Sequence, residues 1–389
     1  MKKLLSFLLM IAVVFVCFAN GKVEAVGDET PVQTAIRNAA GMSWDDLLEK
    51  AKAEIGDNEL LILASTSRFD EKTFTEKTGI KVKATNLDPS SIFEKVENEI
   101  GNGVYSCDII TATDSYNMDY ALENGWAENF IPDAYAGYLA ENEKKPLVLE
   151  YYNRVYMYNN DNGTLSNRIT NVWQFVEPEL KNFEIKNPLM ELGTMYWLIT
   201  LTSEENQSKL AEAYRNFYGK EWVNDGTYKN ISYQWIHGFL KNATFNNKDS
   251  GIVKNLGSAQ PGAVGVAVFS KFRSGNVASI GVSAFEGVDG FAGFLFPLSM
   301  TVASNAKYPY AACLYVNYCL SEEGFMNIFG KDMGGYSINP NAKLSEKAIE
   351  SGDRDLSFWK ECLIVEDLDY IKSVYAEAYT QISQWCADK

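Results

Sequence analysis

The stretch "NELLILASTSRFDEKTFTEKTGIKVKA", residues 58–84, limits the fold more than any other part of the chain. An apolar run ends in Ser65, Thr66, Ser67 and Arg68, a helical pattern follows, and after Gly79 the residues Ile80, Val82 and Ala84 alternate with lysines. Alternation with period two is that of a half-buried strand. The pattern continues through "SSIFEKVENEIG", where Ser91 and Glu94 read as a capping box, then the apolar strand core "CDIITAT", then the helical "DSYNMDYALENG". Upstream, "SWDDLLEKAKAEIG" is a helix that Ser43 caps and Gly56 ends. Strands alternating with helices predict an α/β fold: mainly parallel sheets with helices on both faces.

A chain of 389 residues exceeds what one core usually serves, so two lobes are expected. "LVLEYYNRVYMYNND" is too long for a short buried strand and is read as a crossing between lobes; the run from Phe285 through "FAGFLFPLSMTVASNA" is read as the return. The expected division is residues 42–150 with 286–389 for lobe 1 and hinge, and 151–285 for lobe 2. A net charge of −16 repels phosphate backbones, which argues against nucleic acid as a partner.

"MKKLLSFLLMIAVVFVCFANGKVEAVG" has the basic, apolar and small-residue parts of a secretory signal peptide, placed at residues 1–21, with a linker over 22–41. Its apolar run is short of the roughly 20 residues that span a bilayer. Cleavage after Gly21 or after Ala25 fits equally. Cys17 opens the alternative of lipid attachment, but Val16 before it is bulky, so simple export to a periplasmic or extracellular site ranks first. The remaining cysteines form no C-x-x-C pair, which argues against zinc, and Cys362 and Cys386 are the pair considered for a disulfide.

The segments "WDDLLEKAKAEIGDNELLILAS", "FTEKTGIKVKA", "YSCDIITATDS", "NRVYMYNND", "NVWQFVEPELKN" and "GFLFPLSMTVASNAKYPYAACLYVNYCLSEEGF" followed by "DMGGYSINP" carry a resemblance. In that order and spacing, over nearly the whole mature chain, the sequence resembles the extracellular solute-binding proteins of bacterial ABC importers, in the branch labelled iron(III)-binding or family 1. The resemblance implies a two-lobe type II periplasmic-binding fold, a ligand between the lobes and docking on a membrane permease. No G-x-x-x-x-G-K-[ST] occurs, so ATP hydrolysis would belong to a partner, and no cofactor is expected. A monomer is expected.

Ligands of open α/β sheets gather beyond the carboxyl ends of strands. Ser65, Thr66, Ser67 and Arg68 lie at such an edge, where helix N–H groups, hydroxyls and a cation can seat an oxyanion. A plain cap by Ser67 is the competing reading. Thr113, Asp114 and Ser115 occupy the next strand edge. From the second lobe come Glu191, Gly193 and Thr194, with Trp197 as either an aromatic wall or core. In iron-binding relatives adjacent tyrosines hold the metal near "FSKF"; here stand Phe269, Ser270, Lys271 and Phe272, and phenylalanine offers no oxygen to a hard ion. Tyr151 and Tyr152, a "YY" pair on the expected crossing strand, are the substitute candidates, and no metal site is assigned. His237, on an expected helix, reads as a packed or surface residue rather than a metal ligand.

Arg68, Ser270, Lys271 and the hydroxyls favour a small polar anion. A polyamine read by Asp114, Glu150 and Glu191 is the alternative, as is iron(III). An enzyme with Cys107 as nucleophile, on the scaffold of a secreted thiamine-cleaving enzyme, ranks below binding, because Cys107 starts its strand and lacks a neighbouring base. A sensor that reports the same ligand to a receptor is not separated from transport.

Overall fold

The computed structural model describes residues 29–69, 71–160, 168–180, 182–274, 279–331 and 333–389. The expected signal peptide and Cys17 lie outside them. Among the described residues no helix is long and apolar enough to cross a membrane.

Residues 58–84 form the anticipated unit. Strand β1 (Glu59–Ala64) leads to a helix over Glu71–Thr78 and then to β2 (Lys81–Asn86), and β1 also pairs in parallel with β3 (Ile109–Ala112). A two-residue strand, β4 (Ala127–Glu128), follows. At the other end of the sheet, β6 (Phe183–Lys186) lies parallel to both β7 (Ala243–Asn246) and β8 (Val264–Val268).

These two parallel groups are joined by two long strands. The first is β5 (Val148–Asn159); after β9 (Ile280–Val282) comes the second, β10 (Gly293–Ala303). They pair antiparallel from Gly293 opposite Val155 to Ser299 opposite Val148. Beyond that overlap β10 pairs with β3, and β5 pairs with β8. Both crossings expected from the sequence are therefore present, and every residue in them is buried. Two short strands, β11 (Tyr336–Ser337) and β12 (Ile364–Val365), edge onto β5 and β10. The result is the expected mixed α/β, two-lobe architecture, with strand order β2-β1-β3-β10-β5-β8-β6-β7.

Local chemistry explains most element ends. Ser43 accepts from the Asp46 amide at 3.2 Å to start the helix Trp44–Ile55, and Asp114 accepts from the Asn117 amide at 3.1 Å to start Ser115–Glu123. Three expectations change. Residues 31–40, read as linker, form a helix with a Thr30–Gln33 capping box, and its buried Val32, Ala35 and Ala39 seal it to the core. The helix expected from Ser91 starts at Pro89, whose fixed φ suits a first helical turn. The final helix, Leu368–Ala387, does not keep to the first lobe. Its Lys372 pairs with Asp119 and Glu123, and its Tyr375 stacks on Tyr116 with centroids 4.2 Å apart. On the other side Tyr370 meets Thr202 at 2.9 Å, Glu377 meets Lys229 at 2.7 Å, and Trp385 packs on Tyr233 and His237.

Trp197 sits at the centre of the second lobe, 1% exposed, stacked on Phe294 at 4.7 Å and ringed by Trp235, Phe239 and Phe291. Replacing a buried Trp by Ala removes its transfer energy and leaves a cavity. Trp197→Ala should destabilise the protein by about 3–5 kcal/mol in urea unfolding, whereas a loss under 1 kcal/mol would place the ring outside the core.

Candidate functional site

The row of hydroxyls after β1 divides its work. The Ser65 amide donates to Thr111 O at 3.0 Å and its hydroxyl accepts from the Thr113 amide at 3.1 Å, so Ser65 and Thr113 tie the ends of β1 and β3 together. Thr66 accepts from the Arg68 amide at 3.3 Å, a local turn that aims the arginine. Ser67 is exposed, and the next helix starts only at Glu71, so Ser67 does not cap it.

Arg68 turns toward the hinge. Its Nη2 donates to Met333 O at 3.1 Å and its guanidinium lies 5.4 Å from the centre of the Tyr152 ring. Its Nη1 is buried without a hydrogen-bond partner, as are both carboxylate oxygens of Glu150 and the hydroxyl of Tyr152. Buried polar atoms are nearly always bonded, so these four, gathered in one place, make it the candidate point of ligand contact. Burial pushes the Glu150 carboxyl up to about 8, partly offset by the Arg68 charge and by the neighbouring Tyr152 hydroxyl. The roof is a pair of glycines. A Cβ on Gly335 would fall 2.7 Å from Glu150 Oε2 and 2.8 Å from Arg68 Nη1, while Gly334, at φ +79°, lies against the Ser270 amide of the opposite lobe. Ser270 thus borders the site through its backbone, and Lys271 follows it, half-buried.

A second polar cluster lies across the same cleft. Asp114, fully buried, accepts from the Tyr196 hydroxyl at 2.7 Å, a bond between lobes. Ser115 donates to Glu366, whose other oxygen is buried and unbonded. Burial pushes Glu366 up to about 8, and the nearby charges of Asp114 and Glu191 add to this. Burial would also raise Glu191, but Arg154 and Lys186 reverse that and hold it near about 2. Arg154, 1% exposed, bonds Asp249 through Nε at 3.1 Å and Nη2 at 3.0 Å, Glu191 at 2.6 Å and Thr194 at 2.5 Å.

Several expected contacts are thereby reassigned. Glu191 caps the helix Leu192–Thr200 and neutralises Arg154; Thr194 shares that network, and Gly193 leaves room for the Glu191 carboxylate, 2.9 Å from where its Cβ would be. Trp197 is core. Tyr151 points to the other strand face, where its hydroxyl donates to Glu143 at 3.2 Å, while Glu150, Tyr152 and Arg154 share the cleft face by the two-residue period. Tyr152 was read from the sequence only as a possible metal ligand beside Tyr151, and Arg154, Tyr196 and Glu366 were not picked out at all. Arg154 follows from Glu150 and Tyr152 by period two; Glu366 arrives from 251 residues beyond Ser115 with no local signal.

Phe269 is buried against Phe272, Phe285 and Trp359, so no phenol stands there. Among the described residues no three His, Cys, Asp or Glu side chains are grouped to hold a metal. Cys107 is fully buried and its thiol is pushed up to about 12 by burial, and Cys362 and Cys386 are unpaired. His237 bonds the Tyr228 hydroxyl at 2.7 Å within an aromatic packing, as read.

No family model and no curated protein sequence matches the chain. Solved structures do. A ferric binding protein from Campylobacter jejuni superposes with TM-score 0.62 at 16% identity, covering 84% of this chain and 99% of its own. The periplasmic binding protein AfuA from Actinobacillus pleuropneumoniae, with exogenous fructose-6-phosphate bound, gives TM-score 0.62 at 18% identity over 84% and 97%. Iron-bound HitA from Pseudomonas aeruginosa gives 0.59 at 15% over 84% and 99%. The chain has the two-lobe fold of these periplasmic binding proteins.

A carboxyl raised on folding keeps its proton to a higher pH than in the unfolded chain, so stability is full below the unfolded pKa and falls as pH rises toward the folded one. For Glu366 that window runs from 4.5 to about 8. Thermal midpoints should fall between pH 5 and pH 8, and Glu366→Gln, which keeps an acceptor for Ser115, should flatten the decline; an unchanged slope would mean that Glu366 is ionised in the native cleft.

Proposed function

We propose that the protein is the solute-binding component of a bacterial ABC importer, exported by its signal peptide, which captures a small polar anion between its lobes and delivers it to a membrane permease. The lobes are residues 42–150 with 286–389, and 151–285, the final helix reaching across both. The observation that carries the ligand class is the unbonded, buried Nη1 of Arg68 beside the unbonded Glu150 carboxyl and Tyr152 hydroxyl, at the hinge and under the Gly334–Gly335 roof. A guanidinium takes an oxyanion through paired N–H groups, and a carboxyl next to it takes hydroxyls. A phosphorylated sugar presents both. The fructose-6-phosphate in AfuA supports that class on the same fold. The protein acts by binding, without chemistry of its own and as a monomer.

Iron(III) is the second reading, favoured by the ferric neighbours. Against it, the phenylalanines at 269 and 272 supply no oxygen, Tyr151 is engaged with Glu143, and the Tyr152 phenol lies beside the Arg68 cation, which repels a metal ion.

A ligand that binds only the native state stabilises it by about 2.7 kcal/mol at a hundred times its Kd. Thermal shift of the mature protein with fructose-6-phosphate, ferric citrate, spermidine and free fructose separates the readings. The expected result is a shift with the phosphosugar that disappears in Arg68→Ala. A shift confined to ferric citrate or to spermidine would sink the anion assignment.

A further inference from the structure

Adjoining the Gly334–Gly335 roof of the interlobe cleft, a cavity of about 690 Å³ opens between the segment 336–344 and the helices Glu346–Glu350 and Leu356–Cys362. Its size falls within the roughly 300–1,000 Å³ typical of small-molecule pockets. Phe325, Ile338, Leu344, Ile349 and Leu356 supply an apolar wall, with Ile349 57% exposed at the rim.

Hydrogen-bonding capacity in the pocket is uneven once existing bonds are counted. Asp353, at its base, is saturated by the Gly334 amide at 2.7 Å, the Tyr336 hydroxyl and the Arg354 amide, both at 2.8 Å, and the Trp359 indole at 3.2 Å. Asp355 accepts from Ser357 at 2.7 Å and from the Phe358 amide at 3.0 Å, with a lesser pull from Lys343. Lys360 is paired with Glu143 at 2.8 Å. Lys343 and Arg354, by contrast, bond main-chain carbonyls: Pro340 O at 2.6 Å for the first, Gly352 O at 2.9 Å and Asp353 O at 3.2 Å for the second. These bonds leave each side chain further N–H donors, the Arg354 guanidinium also lying 5.0 Å from the centre of the Phe285 ring.

We propose that this cavity is a second ligand site, for an amphipathic monoanion whose apolar body lies on the Ile338, Leu344 and Leu356 wall and whose carboxylate meets Lys343 and Arg354. Octanoate is the probe, with 1-octanol as its uncharged counterpart, acetate as its head alone, and isothermal titration as the readout. Octanoate should bind, with octanol and acetate at least about tenfold weaker. Lys343→Glu and the rim substitution Ile349→Glu should each weaken octanoate by about tenfold or more, whereas Arg68→Ala in the interlobe cleft should leave it unchanged. The proposal is overturned by no binding of octanoate, by octanol binding as tightly, by wild-type affinity in both pocket variants, or by loss in Arg68→Ala, which would move the probe to the cleft.

Discussion

The antiparallel pairing of β5 with β10 is the contact on which everything else is hung. Each strand belongs at one end to a parallel group and at the other to its partner, so the two lobes share a backbone ladder rather than a linker. Such a ladder bends and twists but does not let the lobes drift apart. It also sets the cleft, because period two sends Glu150, Tyr152 and Arg154 to one face while Tyr151 and Asn153 turn away to Glu143 and Tyr336.

Burying so many charges beside that ladder is costly unless each finds a partner. Arg154 resolves its own case with two carboxylates and a threonine hydroxyl, which makes the Glu191 helix a fixed wall. Glu150 and Glu366 are not resolved in the same way, and both are pushed toward the neutral acid. Strained or unsatisfied groups cluster where a protein works, since evolution retains them only against a gain elsewhere. The contrast between Arg154 and Arg68 makes the point: both are arginines at the cleft, one fully bonded and one with an idle nitrogen.

Periodicity and caps made the lobe frameworks legible, because both are local. The β1 unit, the Asp114 cap and the two crossing strands could all be read from short windows. Arg68 was legible as well, as a cation at a strand edge. The hydroxyls around it misled in detail: Ser65 and Thr66 serve the backbone, which is the commoner fate of such residues near turns. What stayed hidden depended on distant arrival. The roof glycines, Tyr196 and Glu366 come to the cleft from separate parts of the chain, and no window that contains one contains its partner. Residues 31–40 hid for another reason: their apolar positions, Val32, Ala35 and Ala39, are small and few, so the pattern is faint until the partner helix Pro309–Leu320 is in view.

The helix Leu368–Ala387 comes after every strand in chain order, yet it touches helices on both sides of the cleft. The Tyr116–Tyr375 stack and the Glu377–Lys229 pair therefore tie the two strand groups together a second time, far in sequence from the β5–β10 ladder. Any change in the lobes' mutual angle must therefore shift these helix contacts as well as bend the ladder.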